Sequence, residues 1–339
     1  MFRKVAVIGG GAWGSVFANI LTTNYNEVVL WDREVDVVEN MNSQHIHQRH
    51  LGKKFSERIV ATNSLEEAIS EKDCLFFCVS SQYLRNTLKE VKAFISSETV
   101  CVSLSKGIEL TSNKTMTQVI REVLLLDKVN VASLSGPNLA GEVLDKKPSA
   151  TVVAGKSNEV VKQISQAVAT QYFRPFASSD VLGVELCGAL KNIIALAIGM
   201  ANGKDYGFNT QSAIMARGLE EIMRLGVSMG AQTKTFYGLA GVGDLITTCM
   251  SPNSRNYSFG LNLGKGLDFE QAKERLNGVA EGCMTTKAAL QLAKEYIVPM
   301  PIVSGVYKIL FDGAPLDYLE KKLMNLPLYT EGMNSKKII

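Results

Sequence analysis

Residues 5–14 read Val-Ala-Val-Ile-Gly-Gly-Gly-Ala-Trp-Gly. An apolar run of the kind that forms a buried strand turns directly into Gly9-x-Gly11-x-x-Gly14, and Val16, Phe17, Ile20 and Leu21 continue at helical spacing. A second apolar run, residues 28–31, ends on Asp32-Arg33. Strand, glycine turn, helix, strand and an acid about 20 residues further on make up a dinucleotide-binding unit. Gly9 permits the tight turn, Gly11 lets the backbone approach a pyrophosphate, and Gly14 lets the helix pack closely on the strand. The free N–H groups and positive dipole end at the start of that helix, around Ala12 and Trp13, attract phosphate.

The rest of the N-terminal half repeats the same alternation. Strand-like runs fall at residues 6–8, 28–31, 75–79, 100–104, 129–134, 151–154 and 172–176, with helical patterns at 13–24, 64–70, 82–95, 112–126 and 157–170. Alternation of this kind predicts a doubly wound, mostly parallel sheet. It stops near residue 178. Ser179 is placed to cap a helix whose first turn carries Asp180, and the patterns beyond it are helical, broken at Gly- or Pro-containing segments. The expected fold is therefore α/β: a Rossmann-like doubly wound sheet over residues 1–178, then an all-helical domain over 179–339. A chain of 339 residues is long enough for two such cores.

Composition narrows the chemistry. The formal net charge is only +3, too small to argue for nucleic acid or an anionic membrane as partner. All three histidines fall in one polar stretch, at 45, 47 and 50. With no Cys, Asp or Glu among them, they read as a solvated loop rather than a metal site, and no metal is expected. A general acid or base elsewhere has to be Lys, Asp, Glu, Tyr or Cys. The six cysteines show no metal spacing beyond Cys74-x3-Cys78. That pair would share one face of a strand, and all six read as free thiols of a reducing compartment. The apolar stretch at 186–201 is shorter than a bilayer span and contains Lys191 and Asn192. No secretory leader pattern is present, so a cytoplasmic location without stable membrane insertion is expected.

Several segments carry candidate chemistry. The helix predicted after residue 179 is apolar nearly all round and so belongs in an interior, yet Lys191 and Asn192 sit in its middle. A buried lysine is costly unless it is paired or working; the other reading is a lysine that snorkels to the surface. Ser105-Lys106-Gly107 and Ser135-Gly136-Pro137-Asn138 follow strands whose carboxyl ends face the ligand side of an open α/β sheet. Lys106 there faces either an anion or solvent. Gly238 to Asp244 reads as a flexible turn that presents one carboxylate. Ser254 is a plausible N-cap, so Arg255 and Asn256 open a helix that is either a phosphate seat or a plain capped start. Thr247-Thr248-Cys249 is polar lining or ordinary helix. Glu281, in a predicted loop, is a ribose contact or a plain turn acid.

Taken in order, Gly9 to Gly14, Ser105-Lys106-Gly107, Ser135 to Asn138, Gly188-Ala-Leu-Lys191-Asn192, Gly241-Val-Gly-Asp244 and Asn253-Ser-Arg-Asn256 resemble the bacterial-type, NAD(P)-dependent glycerol-3-phosphate dehydrogenases. The resemblance runs from residue 4 to about 320. It implies interconversion of dihydroxyacetone phosphate and sn-glycerol 3-phosphate for phospholipid synthesis, with NAD or NADP as cofactor. It implies that Lys191 exchanges the proton at the substrate oxygen, with Lys106 and Asp244 as catalytic neighbours. The substrate contacts it implies are Lys106, Gly136, Asn138, Lys191, Asn192, Asp244, Ser254, Arg255 and Asn256. The cofactor contacts it implies are Gly9, Gly11, Ala12, Trp13, Gly14, Asp32, Arg33, Lys106, Ala140, Arg255, Val279 and Glu281. A homodimer through the helical domain is a family-level expectation. Relatives often have Ser or Thr at position 138 where this chain has Asn. Many have a small residue then a basic one after the second strand. Here Asp32, suited to ribose hydroxyls, precedes Arg33, which can pair with a 2′-phosphate, so both cofactors are expected to work.

Two rivals stay open on the residues alone. One is a dehydrogenase of the same plan acting on a 3-hydroxy acid or ketopantoate, which needs a carboxylate seat. The other is a regulator that senses NAD(H) without turnover, which has no reason to bury Lys191 and Asn192.

Overall fold

The computed structural model describes residues 2–49, 51–125, 130–276 and 280–325. Its first half is one eight-stranded sheet in the order β3-β2-β1-β4-β5-β6-β7-β8. The strands are β1 (Val5–Ile8), β2 (Val28–Trp31), β3 (Ile59–Thr62), β4 (Cys74–Phe77), β5 (Val100–Ser103), β6 (Asn130–Ser135), β7 (Ser149–Gly155) and β8 (Phe173–Ser178). Neighbours are parallel except β6 and β7. The helices between them are α1 (Ala12–Leu21), α2 (Val35–Ser43), α3 (Leu65–Ile69), α4 (Leu84–Val91), α5 (Met116–Leu124), α6 (Ala140–Leu144) and α7 (Asn158–Val168).

The period of two along each strand feeds two cores. Val5, Val7, Cys74 and Phe76 pack on one face with Phe17; Ala6, Ile8, Leu75 and Phe77 pack on the other with Leu84 and Leu88. Cys78 packs against the same core as Cys74, as their spacing predicts, and all six cysteines are free thiols. Strand order reverses direction at β1, so the turn after β1 lies at the topological switch point where open α/β sheets bind ligands.

From residue 181 onward the described chain is helical: α8 (Val181–Gly203), α9 (Phe208–Ser228), α10 (Thr233–Phe236), α11 (Asp244–Met250), α12 (Arg255–Gly264), α13 (Phe269–Arg275), α14 (Glu281–Glu295), α15 (Pro301–Phe311) and α16 (Tyr318–Met324). The axis of this half is α8, packed by α9, α11, α12, α14 and α15. It is longer than its apolar stretch suggests. By length and composition it is the one described helix that can cross a membrane, but 89% of its apolar window is buried inside the protein. Two glycines set its closest contact. A side chain on Gly199 would meet the Tyr257 carbonyl oxygen at 2.1 Å, and one on Gly260 would meet that of Leu196 at 2.1 Å. Helices α8 and α12 thus touch backbone to backbone.

The cap of α8 differs from the sequence reading. Asp180 is the N-cap, not Ser179. Its Oδ1 accepts from Gly183 N at 3.0 Å, and its Oδ2 accepts from Gln232 N and the Thr235 hydroxyl. A carboxylate with two oxygens satisfies both α8 and the loop before α10, which a single hydroxyl cannot. Three elements have no counterpart in the sequence reading. The edge strand β3 leaves Val60 exposed, α2 buries only Val37 and Met41, and α6 has five residues. None buries enough apolar surface to impose a period.

Candidate active site

The glycine turn supplies one wall. Gly9 has φ of +113°, where a side chain is strained, and a Cβ there would lie 2.8 Å from the Cys78 backbone. A Cβ on Gly14 would lie 1.8 Å from the Gly9 carbonyl oxygen, so only glycine lets α1 start this close to β1. The Gly11 face is open, with no atom within 4 Å of the place a Cβ would occupy, and no side chain caps α1. Uncapped N–H groups, a positive dipole end and free space fit the pyrophosphate of a dinucleotide. Trp13 packs at a tilt against Phe17 and Phe173 and shares its core with Ala140, the first residue of α6. Asp32 leaves the end of β2 and lies against the turn: a Cβ on Gly10 would meet its Oδ2 at 2.5 Å. Its Oδ1 accepts from Glu34 N. Arg33 is exposed and pairs with Glu34.

The remaining polar groups come mostly from the helical half. Lys191 and Asn192 are each 5% exposed in the middle of α8, so Lys191 does not snorkel. Its ammonium donates to Asp244 Oδ1 and, at 2.5 Å, to the Thr248 hydroxyl, which in turn donates to the Asp244 carbonyl. Asp244 is 1% exposed. Its second oxygen accepts from Lys106 at 2.8 Å, and Lys106 also donates to the Gly136 carbonyl at 3.1 Å. One buried carboxylate therefore bridges two ammonium groups, one from the sheet and one from α8. Burial pushes the Lys191 ammonium down to about 7; Asp244 pulls it up, and the Lys106 charge pushes it further down.

The segment 238–243, read as a flexible turn, is a π-helical turn, Leu239–Gly243, that runs straight into α11. A wide turn of this kind aims Asp244 inward at the start of α11, and such turns concentrate at functional sites. A Cβ on Gly241 would lie 2.1 Å from the Phe236 carbonyl oxygen, so the packing needs its missing side chain. Thr248, left open by sequence, lies on α11 one turn past Asp244.

Ser254 caps α12 as expected, its hydroxyl accepting from Tyr257 N at 3.3 Å. Arg255 is exposed at the first position of α12. Asn256 is buried, and its Oδ1 accepts from Gly282 N at 2.8 Å. That bond orients the amide so that its N–H donors are left for another partner. Glu281, read as a loop residue, begins α14. Burial pushes its carboxyl up, against the opposing pull of the Ser81 main chain, the Ser80 hydroxyl and the charges of Arg255 and Lys106. Asn138 donates to the Ala150 carbonyl while its Oδ1 is buried without a protein partner. Val279 lies outside the described residues.

A further expectation fails. The histidine stretch is not a solvated loop throughout. His47 is 2% exposed, and its Nε2 lies 2.7 Å from the Gly10 carbonyl oxygen. The surrounding polar residues hide this burial in the sequence. His50 lies outside the described residues.

A glycine turn at the switch point of an open α/β sheet, together with a buried lysine–carboxylate–lysine cluster, defines a dinucleotide-dependent oxidoreductase. Comparison with known proteins identifies which kind. Residues 4–161 match the NAD-dependent glycerol-3-phosphate dehydrogenase N-terminus and residues 180–320 its C-terminus. The chain belongs to that family. It is 44% identical over 315 residues to the glycerol-3-phosphate dehydrogenase [NAD(P)+] of Bifidobacterium longum subsp. infantis, covering 92% of this chain and 95% of the relative. It is 41% identical to that of Streptomyces griseus, covering 95% and 96%. The crystal structure of glycerol-3-phosphate dehydrogenase from Coxiella burnetii superposes with a TM-score of 0.91 at 31% identity, covering 96% of this chain and 99% of that one.

Proposed function

We propose that the protein interconverts dihydroxyacetone phosphate and sn-glycerol 3-phosphate with NAD(P)H. The observation that carries this reading is the Asp244 carboxylate bridging Lys191 and Lys106 beside the N-terminus of α12. The bound nicotinamide supplies the hydride. As negative charge builds on the ketone oxygen, the Lys191 ammonium stabilises it and donates a proton; in the reverse direction the neutral amine accepts one. Asp244 and Thr248 aim Lys191, and Lys106 adds positive charge on the sheet side. Ser254, Arg255 and Asn256 seat the substrate phosphate, which supplies binding energy remote from the reacting carbon. Asn192, Gly136 and Asn138 complete the substrate side. Gly9, Gly11, Ala12, Trp13, Gly14, Asp32, Arg33, Ala140 and Glu281 line the cofactor path, which Lys106 and Arg255 adjoin.

In this reading residues 1–178 form the cofactor domain and 179–339 the substrate domain. The free thiols suit a reducing cytoplasm, where the product feeds phospholipid synthesis, and the enzyme works as a homodimer. The test follows nicotinamide absorbance with dihydroxyacetone phosphate, using NADH and NADPH separately, in wild type and Arg255→Ala. Wild type turns over with both cofactors. Arg255→Ala raises the KM for dihydroxyacetone phosphate strongly and changes the weak turnover of unphosphorylated dihydroxyacetone little. Equal losses on the two ketones would show that Arg255 does not read the phosphate, and no turnover in wild type would overturn the reading.

A further inference from the structure

We infer that His47 is a positioning residue for cofactor binding: it pins the Gly10–Gly11 peptide so that the Gly11 N–H faces the pyrophosphate. The inference rests on reading the glycine turn as the dinucleotide seat. A carbonyl oxygen can only accept, so the short contact of His47 Nε2 with the Gly10 oxygen (2.7 Å) is an N–H donated by the ring. The same oxygen accepts from the fully buried Ser15 hydroxyl at 2.8 Å. Two side chains, one from α1 and one from the segment between α2 and β3, thus converge on one peptide of the turn.

The geometry of the peptide links this clamp to the ligand. In a planar trans unit the C=O and the following N–H point in opposite directions. With the Gly10 oxygen held inward against Ser15 and His47, the Gly11 N–H is directed outward. The space beside Gly11 is open, with nothing within 4 Å of the place a Cβ would occupy. Glycine leaves this peptide free to turn, since neither Gly10 nor Gly11 has a side chain to hold it. Asp32 lies against Gly10 on a further side, but a carboxylate gives the Gly10 carbonyl no donor. His47 is anchored by its own segment: Ile46 pairs with Lys54, and Phe55 N donates to the His45 carbonyl at 2.7 Å. The segment can therefore hold its ring against the turn before any ligand arrives. That is preorganisation, which improves affinity by cutting the cost of ordering the site.

The experiment titrates NADH, by fluorescence, into wild type, His47→Leu and His47→Gln, and measures kcat at saturating NADH. His47→Leu removes the donor, and Ser15 still holds the carbonyl. The expected loss is about threefold to tenfold in NADH affinity, the size of one hydrogen bond, with kcat within twofold and the KM for dihydroxyacetone phosphate unmoved. His47→Gln places an amide N–H near the Nε2 position and restores affinity to within twofold. Adenosine, which lacks the pyrophosphate, binds wild type and His47→Leu equally. Should His47→Leu fail to fold, His47→Asn, too short to reach the carbonyl, takes its place in the comparison with Gln. The inference is overturned if the donor-less variant binds NADH like wild type, if Gln is no better than Leu, or if the loss falls on kcat or equally on adenosine. Failure of wild type to bind NADH at all would instead strike the reading of the turn.

Discussion

In the proposed mechanism the chemistry turns on one residue, a lysine buried among aliphatic side chains. Desolvation of Lys191 costs stability, and Asp244 and Thr248 offset part of it with short hydrogen bonds. Lys191→Met keeps the volume and removes the proton. Its kcat is expected to fall by at least ~10²-fold, the lower end for a positioned acid, with NADH affinity unchanged; a variant keeping a tenth of wild-type kcat would remove Lys191 from that role. The pH dependence has a definite sign. Ketone reduction needs the ammonium, so its kcat/KM is full below about 7 and falls as pH rises through that value. Alcohol oxidation needs the free amine and rises through the same point. Profiles taken in both directions check this, and parallel profiles would contradict it. At the other end of the site, Asp32 beside Gly10 favours ribose hydroxyls and disfavours a 2′-phosphate by like charge. Asp32→Gly is expected to shift kcat/KM toward NADPH, and exposed Arg33→Ala toward NADH. An unmoved ratio in Asp32→Gly would mean that the acid does not face the ribose.

Helices α8 and α12 matter as a pair because the function proposed above puts the two halves of the substrate site on them, Lys191 with Asn192 on one and Arg255 with Asn256 on the other. Gly199 and Gly260 set their spacing. Gly260→Ala drives a methyl into the Leu196 carbonyl and must move α12 outward. The expected cost is about 1–3 kcal/mol of stability, as for overpacking elsewhere, together with a KM for dihydroxyacetone phosphate that rises more than the KM for NADH. Urea unfolding and the two KM values test this; equal changes in both KM values would show that α12 does not register the phosphate seat against α8. Asn256 joins a third element by capping α14 at Gly282, so the start of α14 and Glu281 move with the same seat.

For the molecule as a whole, stability is tied to a buried carboxyl that makes no hydrogen bond to the Lys191–Asp244–Lys106 cluster. Glu221 of α9 is buried and accepts from Ile302 N and Val303 N at the start of α15. Burial pushes its carboxyl up to about 7, against the opposing pull of those two N–H groups. The folded chain therefore keeps a proton that the unfolded chain, with its carboxyl near 4.5, has lost. The stability this contributes is present below about 4.5 and is lost as pH rises through about 7. Glu221→Gln should flatten the pH dependence of unfolding across that window, as measured by urea titration on either side of it. A wild-type curve that climbs there would reverse the sign and overturn the assignment.

The amino-acid order alone determined the alternation of strands and helices, the glycine turn at the end of β1, the all-helical half and the identity of nearly every polar side chain in the site. Those features are local: period two or 3.6, a turn that only glycine makes, a cap one residue before a helix. A resemblance to known dehydrogenases supplied the roles. Tertiary structure decided what depends on atoms distant in the chain. It showed that Lys191 and Lys106 share Asp244, that Thr248 belongs with them, and that Asp180 rather than Ser179 caps the start of α8 because it also serves Gln232 and Thr235. It turned a presumed loop into a π-helical turn and brought His47 out of a polar stretch onto the Gly10 carbonyl. A hydrogen bond between residues tens of positions apart leaves no period in the sequence, because its partners are chosen by packing and not by spacing.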